Sequence, residues 1–172
     1  MKTKILSIII IALISINTIK AQTLKVDVAN SKLHWKGTKK IGEHSGVIAI
    51  KEGTVIMKAG KIVGGKIIVN MKAITILDTE DPDDRKDIIK DISSKQFFNV
   101  AQYPTATFEI KGFFDGMLLG SLTIKGITKQ ITFKTSYEMI GGKLLANTVT
   151  FYIKRQNWNL KFSNWFKENV LD

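Results

Sequence analysis

The chain has 172 residues and no cysteine, which excludes a disulfide framework, thiolate metal sites, a cysteine nucleophile and a cysteine-linked lipid anchor. Its formal charge of +11 is compatible with nucleic acid, anionic lipid headgroups or plain solubility, so charge alone names no partner.

The first stretch, "MKTKILSIIIIALISINTIKAQ", places Lys2 and Lys4 before an apolar run from Ile5 to Ile16 that only Ser7 and Ser15 interrupt. The run is short for a membrane span and fits the apolar region of a secretory signal, with Ala21 as the small residue at the cut. Ile19, three positions before that cut in the inclusive count, is an unusual neighbour for it. An uncleaved anchor is the alternative reading. We read residues 1–21 as a signal peptide and 22–172 as one domain, and expect a periplasmic or secreted protein. Removing 21 residues from 172 leaves 151, enough for a single core. The removed part contains three lysines and no acid, so the remainder carries about +8. Export weighs against nucleic acid as a partner and leaves contact with an anionic membrane surface open.

His34 in "LHWKG" and His44 in "GEHSG" are the two histidines of the chain. With Glu43 they could form a zinc site, but nothing in their spacing links them as ligands. His34 alternates with Leu33 and Trp35 and is expected to point outward. The serine of "GEHSG" is in the wrong place for a nucleophile elbow, and no phosphate loop or dinucleotide fingerprint is present. No metal and no cofactor are expected.

Gly-bearing stretches, "KEGT", "KAGK", "FDGM" and "IGGK", read as turns between strands. "DTEDPDDRKDIIKD", from Asp78 to Asp91, holds seven acids and three basic residues. It lacks the spacing and central glycine of a calcium loop, and reads instead as a solvated loop entering the one helix, capped by Asp83 or Asp84. "SSKQFF" is expected to add a further turn. Pro104 then sets extended geometry at the first residue of a strand, where its missing N–H costs least.

The strands that follow alternate with period two. Ala106, Phe108 and Ile110 share one face of "TATFEIKG"; Leu122 and Ile124 share one face of "GSLTIKG"; Ile131, Phe133 and Tyr137 share one face of "KQITFKTSYE". The last aromatic stretch, "FYIKRQNWNLKFSNWFKEN", interleaves lysines as an oligonucleotide-binding surface does, but reads better as final strands with aromatics inside. An antiparallel meander of about eight strands can close its apolar face as a filled sandwich or as a barrel with room for a small ligand, and periodicity does not choose between them.

The stretch "ITILDTEDPDDRKDIIKDISSKQFFNVAQYPTATFEIKG" resembles the signature of the bacterial YceI-like family, through Ile76 with Asp78, Lys86-Asp87, Phe97-Phe98, Tyr103-Pro104 and Phe108. "GSLTIKGITKQITF" is similar to a second family element, and Arg155 with Trp158 in "IKRQNWNLKF" to a third. The resemblance implies an all-β fold: an extended antiparallel lipocalin-like β-barrel with one or two short helices covering an end. It also implies a polyprenyl or isoprenoid-quinone lipid as partner, held without catalysis.

The expected ligand-binding residues are Ala106, Phe108, Ile110, Leu122, Ile124, Ile131 and Phe133, with Trp35 and Phe98 nearer an end. The runner-up is a structural or stress-related barrel with a filled interior. The sequence leaves a homodimer open.

Overall fold

The computed structural model describes residues 20–38 and 42–161. The expected signal peptide lies almost wholly outside the described residues. Among the described residues, eight strands run in chain order: β1 (Gln22–Lys25), β2 (Leu33–Thr38), β3 (Glu43–Lys58), β4 (Lys61–Ile76), β5 (Thr105–Phe114), β6 (Met117–Ile124), β7 (Ile127–Ile140) and β8 (Lys143–Thr148). The helix α1 (Pro82–Ser93) joins β4 to β5, and a short 3-10 helix spans Arg155–Trp158. All pairings are antiparallel, in the order β1-β3-β4-β5-β6-β7-β8, with β2 beside β1 on the same edge of β3.

Four of the connections are two-residue hairpins whose central residues both have positive φ: Ala59-Gly60, Asp115-Gly116, Lys125-Gly126 and Gly141-Gly142. That geometry matches the right-handed twist of paired strands, and glycine at the second position adopts it without strain. "KEGT" is not a turn. Gly53 lies inside β3, where a Cβ would come within 2.8 Å of Ile67 and 2.9 Å of Val26. Its role is close approach between strands.

The sheet curls until its first and last strands share one core. Leu24 of β1 and Leu144 of β8 both pack against the cluster of Met57, Ile62, Ile110, Leu118 and Phe133. The result is a nearly closed antiparallel barrel. Beyond β8 the chain follows β7: Val149 N–H donates to the Lys134 carbonyl, and the Phe151 ring stacks on Phe133 at 4.2 Å. The expected final strands are absent from residues 149–161, where the chain instead turns into the 3-10 helix. Its Trp158 is 1% exposed, which explains the departure: the indole docks into the core and donates its N–H to the Leu122 carbonyl at 3.3 Å. Asn159, at φ 51°, ends the turn.

One end of the barrel is covered. The helix α1 buries Ile88 and Ile92 there, with Val100, Trp158 and Leu160. Its cap is Asp81, not Asp83 or Asp84: Pro82 takes the first helical position, where no N–H is needed, and Asp81 accepts from the Asp83 and Asp84 N–H groups. The expected turn at "SSKQFF" forms, and Phe97 and Phe98 meet edge to face at 4.6 Å against the same cluster. Strand β5 begins at Thr105, one residue after Pro104, whose carbonyl accepts from Met71 N–H. The Lys125 ammonium ties the cover down by donating to the Gln96 carbonyl at 2.8 Å and the Asn159 carbonyl at 3.2 Å. Burial, and then the charge of Lys161, lower its pKa.

Candidate functional site

The interior is built from cross-strand rungs. In one, Ile67 of β4 faces Phe108 of β5, which faces Leu122 of β6. In the next, Ile110 sits between Gly65 and Gly120, and Gly120 faces Ile131 of β7. Missing side chains at the two glycines make room for neighbours. A Cβ on Gly120 would lie 2.4 Å from the Phe108 ring, so that ring lies across the Gly120 backbone. Phe108 also meets Phe133 at 5.3 Å.

All nine expected lining residues fall into two apolar clusters. Ala106 and Ile124 are buried in the cluster at the covered end, with Trp35, Phe98, Leu122 and Ile131 packed against it. Ile110 and Phe133 are buried in the second cluster, with Phe108 and again Ile131 against it. Ile131 touches both. Between the clusters, Ile67, Phe108 and Leu122 stay half-buried although they share the core face, while Val69, Ala106 and Ile124 on one side and Ile110, Leu118 and Phe133 on the other are buried. Apolar side chains on the core face of a barrel keep such surface only where they border unfilled space or the open seam.

Sequence reasoning missed β4, which supplies Ile62, Ile67, Val69 and Met71 to the interior. The signal was there in "KIIVNM" but was interrupted. The pairing with β3 slips between Ile62 and Gly64 and again between Val69 and Ile74, so the period-two pattern breaks within the strand. Trp158 lies in the aromatic stretch expected to form inward-facing final strands, and it is buried from a 3-10 turn instead.

Polar groups of the site are few. Thr135 follows Phe133 on the same face of β7, and its hydroxyl is buried with no hydrogen-bond partner. At the end opposite the helix, Lys61, Phe113, Phe114, Asp115 and Tyr137 line an open pocket of about 330 Å³. Phe113 and Tyr137 meet edge to face at 4.9 Å, and the Tyr137 hydroxyl donates to the Gly60 carbonyl at 3.3 Å.

The histidines do not form a centre. His34 is exposed on β2. His44 Nδ1 lies 2.9 Å from an Asp78 carboxylate oxygen, and the other oxygen accepts from Ser45 N–H at 2.8 Å. Partial burial raises the Asp78 pKa, but the Ser45 and His44 hydrogen bonds outweigh it and leave the carboxyl below its ordinary value. Among the described residues, no three His, Asp or Glu side chains group closely enough to hold a metal ion.

The family model described as "YceI-like domain" matches residues 24–172. The chain belongs to the YceI-like family. Among curated proteins, this YceI-like chain is 32% identical over 78 residues to UPF0312 protein SA2479 of Staphylococcus aureus strain N315, covering 42% of this chain and 46% of that protein. It is 31% identical over 78 residues to UPF0312 protein MW2606 of strain MW2, with the same coverage. The aligned part thus spans about half the length of the curated relatives. Among solved structures, Burkholderia cenocepacia BcnA superposes with a TM-score of 0.66 at 21% identity, covering 83% of this chain and 89% of BcnA. That likeness confirms the YceI-like barrel as the fold.

Proposed function

We propose that this protein is a non-catalytic carrier that holds the tail of an isoprenoid-type lipid, a polyprenyl chain or an isoprenoid quinone, inside the barrel. The observation that supports this best is the half-buried rung of Ile67, Phe108 and Leu122 between two buried clusters. An apolar chain lying against that rung would remove its remaining surface from water. At roughly 0.8 kcal/mol per buried CH₂, each five-carbon unit contributes about 3–4 kcal/mol gross, and a few units offset the cost of association. Trp35, Phe98, Ala106, Ile110, Ile124, Ile131 and Phe133 extend the same apolar surface along the barrel. Nothing in this role requires a reacting group. Cleavage after Ala21 and residence in the periplasm or outside the cell complete the reading.

The experiment is a melt of delipidated protein with and without a long-chain isoprenoid quinone. A ligand that binds only the folded state at about a hundred times its Kd stabilises by about 2.7 kcal/mol and raises the melting temperature by several degrees. An unchanged melt across polyprenols and quinones would overturn the proposal. It would favour a structural barrel module, a reading supported by the Phe108 ring that already fills the space over Gly120.

A further inference from the structure

The two ends of the barrel differ in charge and in what they expose. At the covered end, the loop and helix from Asp78 to Asp91 hold seven acids against Arg85, Lys86 and Lys90. The β3–β4, β5–β6 and β7–β8 hairpins all turn at the other end, as the meander requires. Their turns and flanks carry Lys58, Lys61, Lys134 and Lys143 against Asp115 and Glu138, all of them exposed, and the exposed Asp27 after β1 lies within electrostatic reach of Lys143.

The same hairpins present large apolar side chains to water. Phe114 is 78% exposed, Ile140 54% and Met139 44%. Nothing in a two-residue turn calls for them: the backbone geometry is met by Asp115-Gly116 and Gly141-Gly142. Exposed apolar groups beside lysines suit a bilayer interface, where the apolar part enters the headgroup boundary and the ammonium groups meet anionic lipid.

We propose that the hairpin end docks on an anionic phospholipid bilayer. The acidic segment at the opposite end then points away from the membrane, so the field of the surface orients the molecule as well as attracting it. The pocket lined by Lys61, Phe113, Phe114, Asp115 and Tyr137 faces the bilayer in this pose. A second copy of the chain is the poorer occupant, because two such ends would bring lysine clusters together.

Docking goes beyond the carrier reading and is tested apart from it, with vesicles that contain no isoprenoid lipid. The chain is floated with phosphatidylcholine vesicles and with vesicles that also contain phosphatidylglycerol. Binding is expected only to the anionic vesicles and is expected to weaken with salt. Phe114→Asp with Ile140→Asp, and separately Lys61→Glu with Lys143→Glu, should each weaken it by about tenfold or more. Leu77→Asp is the control. Leu77 is also an exposed apolar residue, 64% exposed, but follows β4 at the covered end, and its replacement should change nothing. Thermal melts establish that each variant folds. Equal binding to neutral vesicles, no flotation at all, or an equal loss in Leu77→Asp overturns the proposal. So does sedimentation showing that the apolar pair instead holds a dimer.

Discussion

Replacing Trp158 with alanine tests whether the C-terminal 3-10 turn, rather than a strand, secures the covered end. The indole is 1% exposed within the cluster that includes Ile88, Ile92, Val100 and Leu160. Burying about 200 Å² of aromatic surface at about 25 cal/mol/Å² contributes about 5 kcal/mol gross. Measured Trp→Ala costs of about 3–5 kcal/mol agree with that figure. The bond to the Leu122 carbonyl is long at 3.3 Å and adds about 0.5–1 kcal/mol. Trp158→Ala should therefore cost about 3–5 kcal/mol, and Trp158→Phe, which keeps most of the ring, clearly less. For a domain of this size, about 2–4 °C of melting temperature accompanies each kcal/mol. The assay is urea unfolding followed by far-UV circular dichroism, with the slope compared between variants. A loss below about 1 kcal/mol at unchanged slope would refute the placement of the indole in the core.

Other perturbations separate the remaining parts of the account. The depressed pKa of Asp78 contributes stability that is complete above the ordinary carboxylate value and is lost as pH falls through the lowered one. In Asp78→Asn the acid side of the stability profile should be flatter than in the unchanged protein; parallel profiles would remove Asp78 from the explanation. Gly120→Ala places a methyl 2.4 Å from the Phe108 ring and 2.5 Å from the Glu109 carbonyl, so it should destabilise by about 1–3 kcal/mol in denaturant titrations. A neutral result would mean that Phe108 does not lie across Gly120. Thr135→Val exchanges a buried, unpartnered hydroxyl for a methyl and should be neutral or stabilising by up to about 1 kcal/mol in a thermal melt. A loss of more than 1 kcal/mol would show that the hydroxyl has a partner.

The fold was legible where local pattern and global packing agree. The alternation of Ala106, Phe108 and Ile110 in β5 and of Ile131, Phe133, Thr135 and Tyr137 in β7 is readable because one face of each strand lies in the core, and "DG" and "GG" mark hairpins that require positive φ. Legibility failed where tertiary contacts override the pattern. In β4, register shifts move Ile67 and Val69 out of phase with Ile74 and Ile76, which no single period reveals. Gly53 looks like turn punctuation but serves a close approach seen only once Val26 and Ile67 are brought together. The aromatic and lysine mixture after Thr148 fits a strand as well as a docked turn, and only the hole that receives Trp158 decides. The alternating residues named from the sequence all join the two apolar clusters because they share the core face. Their half-buried middle rung is a property of the closed barrel and has no local signature.

The most direct test of the lipid-carrier reading is native mass spectrometry of the mature chain purified without detergent, followed by organic extraction. The account predicts a complex at one lipid per chain whose extracted mass is that of an isoprenoid. A spectrum of bare protein that stays bare after incubation with polyprenyl lipids and isoprenoid quinones would contradict it.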